Sequence, residues 1–130
     1  RDLNLGDQRC LVKIFIDEPG RRELIAVLAE RADERLVTSR VTEVELARTF
    51  VRLGRPGWNV VVALDRFAIV DLHTNIVRHA GTFPEPHLRA LDAMHLATAY
   101  VAMISTFVTY DSRQAEVARG LGMEVLSAGR

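Results

Sequence analysis

Leu88-Arg89-Ala90-Leu91-Asp92-Ala93-Met94-His95-Leu96-Ala97-Thr98-Ala99 opens the most strongly helical part of the chain, and Thr106-Phe107-Val108-Thr109-Tyr110-Asp111 follows it as a short strand. Alanine and leucine give residues 88–103 high helix propensity. Their nearly continuous apolar character requires burial on most sides. The β-branched and aromatic residues at 106–110 favour the extended form. A buried helix, a short strand and a polar-faced helix at 112–121, in that order, form the repeating unit of an α/β sheet.

The same alternation extends in both directions. Gly122 ends the helix at 112–121, and Met123 to Leu126 reads as a closing strand. Leu3 and Leu5 mark a short first strand. An apolar segment from Cys10 to Ile16 stops at the turn Asp17-Glu18-Pro19-Gly20. Leu24, Val27, Leu28 and Ala32 recur at helical spacing and predict a helix over 21–34. Strands are expected at 36–38 and 68–72, and helices at 41–53, ended by Gly54, and at 58–67. A less regular segment follows, closed by Pro84 and Pro86. Short strands alternating with helices predict a three-layer α/β/α fold around a mostly parallel sheet. In such sheets ligands gather beyond the carboxyl ends of the strands.

Composition sets the outer limits. At 130 residues, 48% hydrophobic and 26% charged, the chain is expected to form a single domain over 1–130. Basic and acidic residues both total 17, so any nucleic-acid contact must come from a local patch and not from the overall field. Lys13 is the only lysine; the other cations are arginines, whose guanidinium fork suits carboxylate and phosphate alike. Cys10 is the only cysteine, which excludes an intrachain disulfide framework and a thiolate zinc site and fits a reducing, cytoplasmic compartment. No stretch reaches the roughly 18 apolar residues of a membrane span, and no signal-peptide core is visible.

Four carboxylates stand out. Asp92 shares a helix stripe with Leu88, His95, Leu96 and Ala99, so it must be ion-paired, hydrogen-bonded or metal-bound to escape its desolvation cost. Asp111 lies at a strand end, where it suits both an N-cap and a ligand-binding acid. Glu45 closes a possible capping box, Thr42-x-x-Glu45, unless the helix begins at Ser39 and leaves it free. Asp7 follows the first strand and is weak alone. The histidines at 73, 79, 87 and 95 lack metal-ligand spacing, and His95 is expected to be packed or hydrogen-bonded. There is no phosphate-binding glycine loop and no nucleophile elbow. A phosphotransfer or phosphohydrolase domain would need an acceptor aspartate at a strand end, for which Asp7 and Asp71 are the available positions.

The ordered pieces together resemble the PIN-domain family, and within it the VapC-type ribonuclease toxins of toxin–antitoxin pairs. Leu11 to Gly20 looks like the segment after the family's first acid. Val44-Glu45-Leu46 matches its helix glutamate, and Leu88 to Ala99 is a nearly complete signature. Phe107 to Asp111 agrees with the strand that delivers the last acid, and Leu121 to Leu126 with the closing strand. The resemblance implies an acidic quartet of Asp7, Glu45, Asp92 and Asp111 that holds Mg2+ or Mn2+ and cleaves RNA of the tRNA or rRNA class. It also implies a homodimer inhibited by a VapB-type antitoxin whose carboxy-terminal segment can place an arginine in the notch. Four carboxylates in one notch repel one another unless hard cations balance them. The family follows its first aspartate with a small hydroxylated residue two positions on. Here Arg9 takes that place, positioned to pair with Asp7 and compete with a cation for it. That departure sets a second expectation beside the nuclease: a catalytically degenerate PIN domain that acts as an RNA- or protein-binding module.

Overall fold

The computed structural model describes residues 1–126, so the last four positions of the expected 1–130 domain lie outside the described residues. Five strands form one parallel sheet: β1 (Asp2–Leu5), β2 (Arg35–Ser39), β3 (Ala68–Val70), β4 (Thr106–Val108) and β5 (Glu124–Leu126). Their order is β3-β2-β1-β4-β5, with every neighbouring pair parallel. Among the described residues seven helices make the connections: α1 (Gln8–Phe15), α2 (Arg21–Ala29), α3 (Arg40–Arg52), α4 (Asn59–Ala63), α5 (Thr74–Ala80), α6 (Ala90–Val101) and α7 (Ser112–Gly120). The architecture is the three-layer α/β/α sandwich that the sequence predicts.

Side-chain alternation along the strands builds the layers. Leu3, Leu5, Leu36, Ile69 and Val108 face one way and pack with Leu11, Leu24, Leu46 and Phe50 of α1, α2 and α3. Val37 and Phe107 face the other way and pack with Leu96 and Ala99 of α6 and Val117 and Ala118 of α7. The chain works outward from β1 through β2 to β3, then returns to β4 on the far side of β1. The strand order therefore reverses at β1, which makes the carboxyl ends of β1 and β4 the crevice of the sheet.

Some expectations shift. The helix expected over 21–34 stops at Ala29, and residues 30–34 turn instead. Ala32, its last apolar position, is exposed and has nothing to bury against. Residues 58–67 are helical only over α4, and the strand expected at 68–72 ends at Val70. The segment from Cys10 is the body of α1, begun by Asp7. Helix α5 falls in the stretch read as irregular; it buries only Ile76 and Ala80, one turn apart. Gly54 stops α3 as expected, with φ +76°.

Candidate active-site cleft

Asp7 comes immediately after β1, placed there by a close approach that only glycine allows. Gly6 lies against the ring of Phe107; a Cβ at Gly6 would sit 1.9 Å from Phe107 Cζ. Its amide donates to the Val108 carbonyl at 3.1 Å. Its carbonyl accepts from the buried side chain of Gln114 at 2.9 Å. The Gln114 carbonyl oxygen accepts in turn from Thr109 Oγ1 at 2.6 Å, and Thr109 Oγ1 accepts from the Asp111 amide at 3.0 Å. One buried glutamine thus fixes the end of β1 against the start of α7, and with it the separation of Asp7 and Asp111.

Asp7 and Asp111 are both N-caps. Asp7 Oδ1 accepts from the Arg9 amide at 3.0 Å at the start of α1. Asp111 Oδ1 accepts from the amides of Arg113 and Gln114 at 2.8 and 3.3 Å at the start of α7. A cap carboxylate suits both the orphan amides and the positive end of the helix dipole. Asp7 also receives the Arg9 side chain: Nε donates to Oδ1 and Oδ2 at 3.3 and 3.1 Å, and a terminal nitrogen lies 3.0 Å from Oδ2. The Tyr110 amide donates to the same Oδ2 at 3.2 Å. Both oxygens of Asp7 are therefore engaged, by one guanidinium and two backbone amides.

Glu45 is not part of a capping box. Ser39 is the N-cap of α3, its hydroxyl accepting from the Val41 amide at 3.0 Å. This earlier start leaves Glu45 on the second turn, directed into the cleft. There the buried His95 of α6 donates from Nε2 to Glu45 Oε1 at 2.6 Å. Glu43 points away and pairs with Arg40, which also holds Asp71. That pairing, together with the exposure of Asp71, separates it from the acids of the cleft.

Asp92 lies in the first turn of α6 and is partly buried. Among the described residues it has neither a hydrogen-bond nor an ion-pair partner, so the structural ion pair weighed for it is not made. Desolvation holds its carboxyl above the ordinary aspartate range; nearby Asp111, Asp7 and Glu45 push the same way, and His95 opposes them.

The four acids line one cleft of about 750 Å³ beyond the carboxyl ends of β1 and β4, with Arg9, Arg89 and Arg113 at its edges. They share the cleft without converging. Among the described residues no group of three or more His, Cys, Asp or Glu side chains is arranged to hold a metal ion. Asp7 is tied up by Arg9 and Glu45 by His95, so the donor set does not fit a divalent cation as it stands. The acids and Arg9 expected from the sequence line this one cleft, whereas Gln114 and Gly6, which brace it, are not singled out by the sequence. The available signals were a glutamine three residues after the cap Asp111 and a glycine directly before Asp7.

Comparison with known proteins gives consistent matches. A sequence model of the PIN domain matches residues 7–120. Ribonuclease VapC35 of Mycobacterium tuberculosis is 38% identical over 128 residues, covering 92% of this chain and 93% of the relative. Ribonuclease VapC47 of the same species is 35% identical over 129 residues, covering 95% of each. A solved toxin–antitoxin complex from Klebsiella pneumoniae contains a chain that superposes with a TM-score of 0.75. That chain is 20% identical, with 98% of each chain covered, a likeness of fold.

Proposed function

The chain belongs to the PIN-domain family, with homology to VapC-type ribonuclease toxins, and from that premise we propose that it is a toxin–antitoxin protein whose acidic cleft is closed to divalent cations, so that it acts by binding RNA or protein and not by cutting. The observation that carries this reading is the state of Asp7. Its two oxygens are taken by Arg9 and by the amides of Arg9 and Tyr110.

On this reading the first partner is a VapB-type antitoxin. The zero net charge supports a protein partner over RNA. The exposed apolar side chains Val44, Trp58, Val61 and Val62 on and beside α3 and α4 supply surface for antitoxin docking or for homodimer formation. No helix of the described residues is long and apolar enough to cross a membrane. The reading takes residues 1–130 as one PIN-like domain working in the cytoplasm.

A second reading, metal-dependent endoribonuclease, is favoured by a separate observation: Asp7, Glu45, Asp92 and Asp111 line the same cleft at the switch point of the sheet. The names of the relatives, both ribonucleases, point the same way. Mg2+ or Mn2+ would be the cofactor, and tRNA or rRNA the substrate class.

One experiment separates the two. The purified chain, free of antitoxin, is incubated with tRNA and rRNA at saturating Mn2+ and in EDTA. The binding-module reading expects intact RNA in both. Cleavage that EDTA abolishes, and that Asp92→Asn removes with the fold retained, would overturn it in favour of the nuclease.

A further inference from the structure

We infer that Arg9 is a built-in counter-cation, a side chain of this chain that occupies on Asp7 the place a divalent ion would need and so keeps the cleft closed to such ions. The inference deepens the proposed function and rests on it, because it names the residue responsible for the closure.

Three features of the contact support it. The guanidinium engages both oxygens of one carboxylate, Nε reaching Oδ1 and Oδ2 and a terminal nitrogen reaching Oδ2. Hydrogen bonds between a guanidinium and a carboxylate are charge-assisted and stronger than those between neutral groups. Second, the pair is prepaid by local geometry. Arg9 lies two residues beyond Asp7 in the first turn of α1, and its own amide already donates to Asp7 Oδ1. Capping the helix therefore carries the guanidinium to the carboxylate, with little further ordering required. Third, the partners differ in exposure: the Arg9 side chain is 55% accessible and the Asp7 side chain 11%. The arginine sits over the carboxylate from the solvent side, the side from which an ion would arrive.

The rest of the cleft shows what this one cation leaves undone. Asp92 stands without a hydrogen-bond or ion-pair partner among the described residues, with Asp111, Asp7 and Glu45 nearby. One guanidinium compensates one of these acids, and its bulk and charge both oppose a second cation beside it. Two cations competing for one carboxylate are linked reciprocally, so removing the resident one raises the affinity of the other.

The test measures Mn2+ binding by calorimetry and by electron paramagnetic resonance, on the parent chain and on Arg9→Ser. Arg9→Gln, a longer uncharged replacement, serves as an independent variant should the serine chain fail to fold. The replaced side chain is mostly exposed, and folding is checked by circular dichroism. The expected result is no specific uptake by the parent and stoichiometric binding by the variant, tighter by roughly tenfold or more. Adding Asp92→Asn to Arg9→Ser should abolish the gain. Folded variants that bind Mn2+ no better than the parent would overturn the inference, whatever the parent does. Tight binding by the parent would overturn the cation-closed reading of the cleft. It would overturn the inference too, because a cleft that takes up the ion with Arg9 in place is not closed by Arg9, whereas folded variants that fail to gain binding over a non-binding parent overturn the inference alone.

Discussion

His95 Nε2 on α6 lies 2.6 Å from Glu45 Oε1 on α3, and this contact joins the two helices that carry the inner acids of the cleft. The histidine side chain is 2% accessible and the glutamate 19%. A buried ring donating from Nε2 leaves Nδ1 as its other polar atom, and that atom has no partner among the described residues. The pair is thus held by one short, charge-assisted bond. His95→Ala should destabilise the fold by about 3 kcal/mol, through a cavity and an orphaned carboxylate. Glu45→Gln keeps an acceptor for the ring and should cost about 1 kcal/mol. Urea denaturation followed by circular dichroism ranks the two; equal losses would show that the charge of Glu45, and not the packing of the ring, carries the contact.

Gly6 gives a steric prediction. Its missing Cβ is where the Phe107 ring packs, and the ring is fully buried in the layer beneath α6 and α7. Gly6→Ala should cost about 3 kcal/mol or more, because neither the β1 backbone nor the aromatic ring has room to move. Adding Phe107→Leu should restore part of the loss. If Gly6→Ala were neutral by thermal denaturation, the close approach of β1 to Phe107 would be wrong.

These relationships mark what a linear reading reaches. The helix expected over 88–103 and the strand at 106–110 were legible in kind because propensity and periodicity are local properties; the structure keeps both elements, shortened to Ala90–Val101 and Thr106–Val108. The Asp7–Arg9 pair was legible because its members are two residues apart on one helix start. The Glu45–His95 bond joins residues 50 apart, and the Gln114–Gly6 bond residues 108 apart. No spacing rule predicts either. Helix α5 was missed for another reason: with Ile76 and Ala80 as its only buried residues, it is too short to show a period. The capping box at Thr42 was a local pattern overridden by another local pattern, the Ser39 cap three residues earlier.

Tyr110 predicts the alkaline behaviour. Burial, followed by the neighbouring Cys10 and Asp7, pushes its phenol up to about 12 from an ordinary 10.0. The folded state therefore holds the proton more tightly than the unfolded state. Its contribution to stability is complete below the unfolded value and is lost as pH rises from 10 towards 12. Denaturation midpoints measured across this range should fall, and Tyr110→Phe should flatten the fall. The hydroxyl has no hydrogen-bond partner among the described residues, so the same substitution should be nearly neutral at pH 7. An unchanged alkaline profile in the phenylalanine variant would assign the loss to other groups.

Asp92 carries the last prediction. Desolvation and the acids at Asp111, Asp7 and Glu45 raise its pKa, so ionisation of this side chain works against the fold. Its favourable term is present in full below the unfolded aspartate value and is lost as pH rises through the folded one. Asp92→Asn should then be more stable than the parent at neutral pH, measured in EDTA. The gain should shrink as pH falls through the carboxylate range, where the parent residue takes up its proton. A side chain kept for packing would show the opposite, a loss at neutral pH when the charge is removed. A gain would mean that the chain carries a destabilising charge in its cleft, as expected where stability is given up for a site. Repeating the comparison in the Arg9→Ser background sharpens the point. With Asp7 released, one more uncompensated acid faces Asp92, and the stability gained from Asn should grow. If it stayed the same, Arg9 would have no electrostatic reach beyond Asp7.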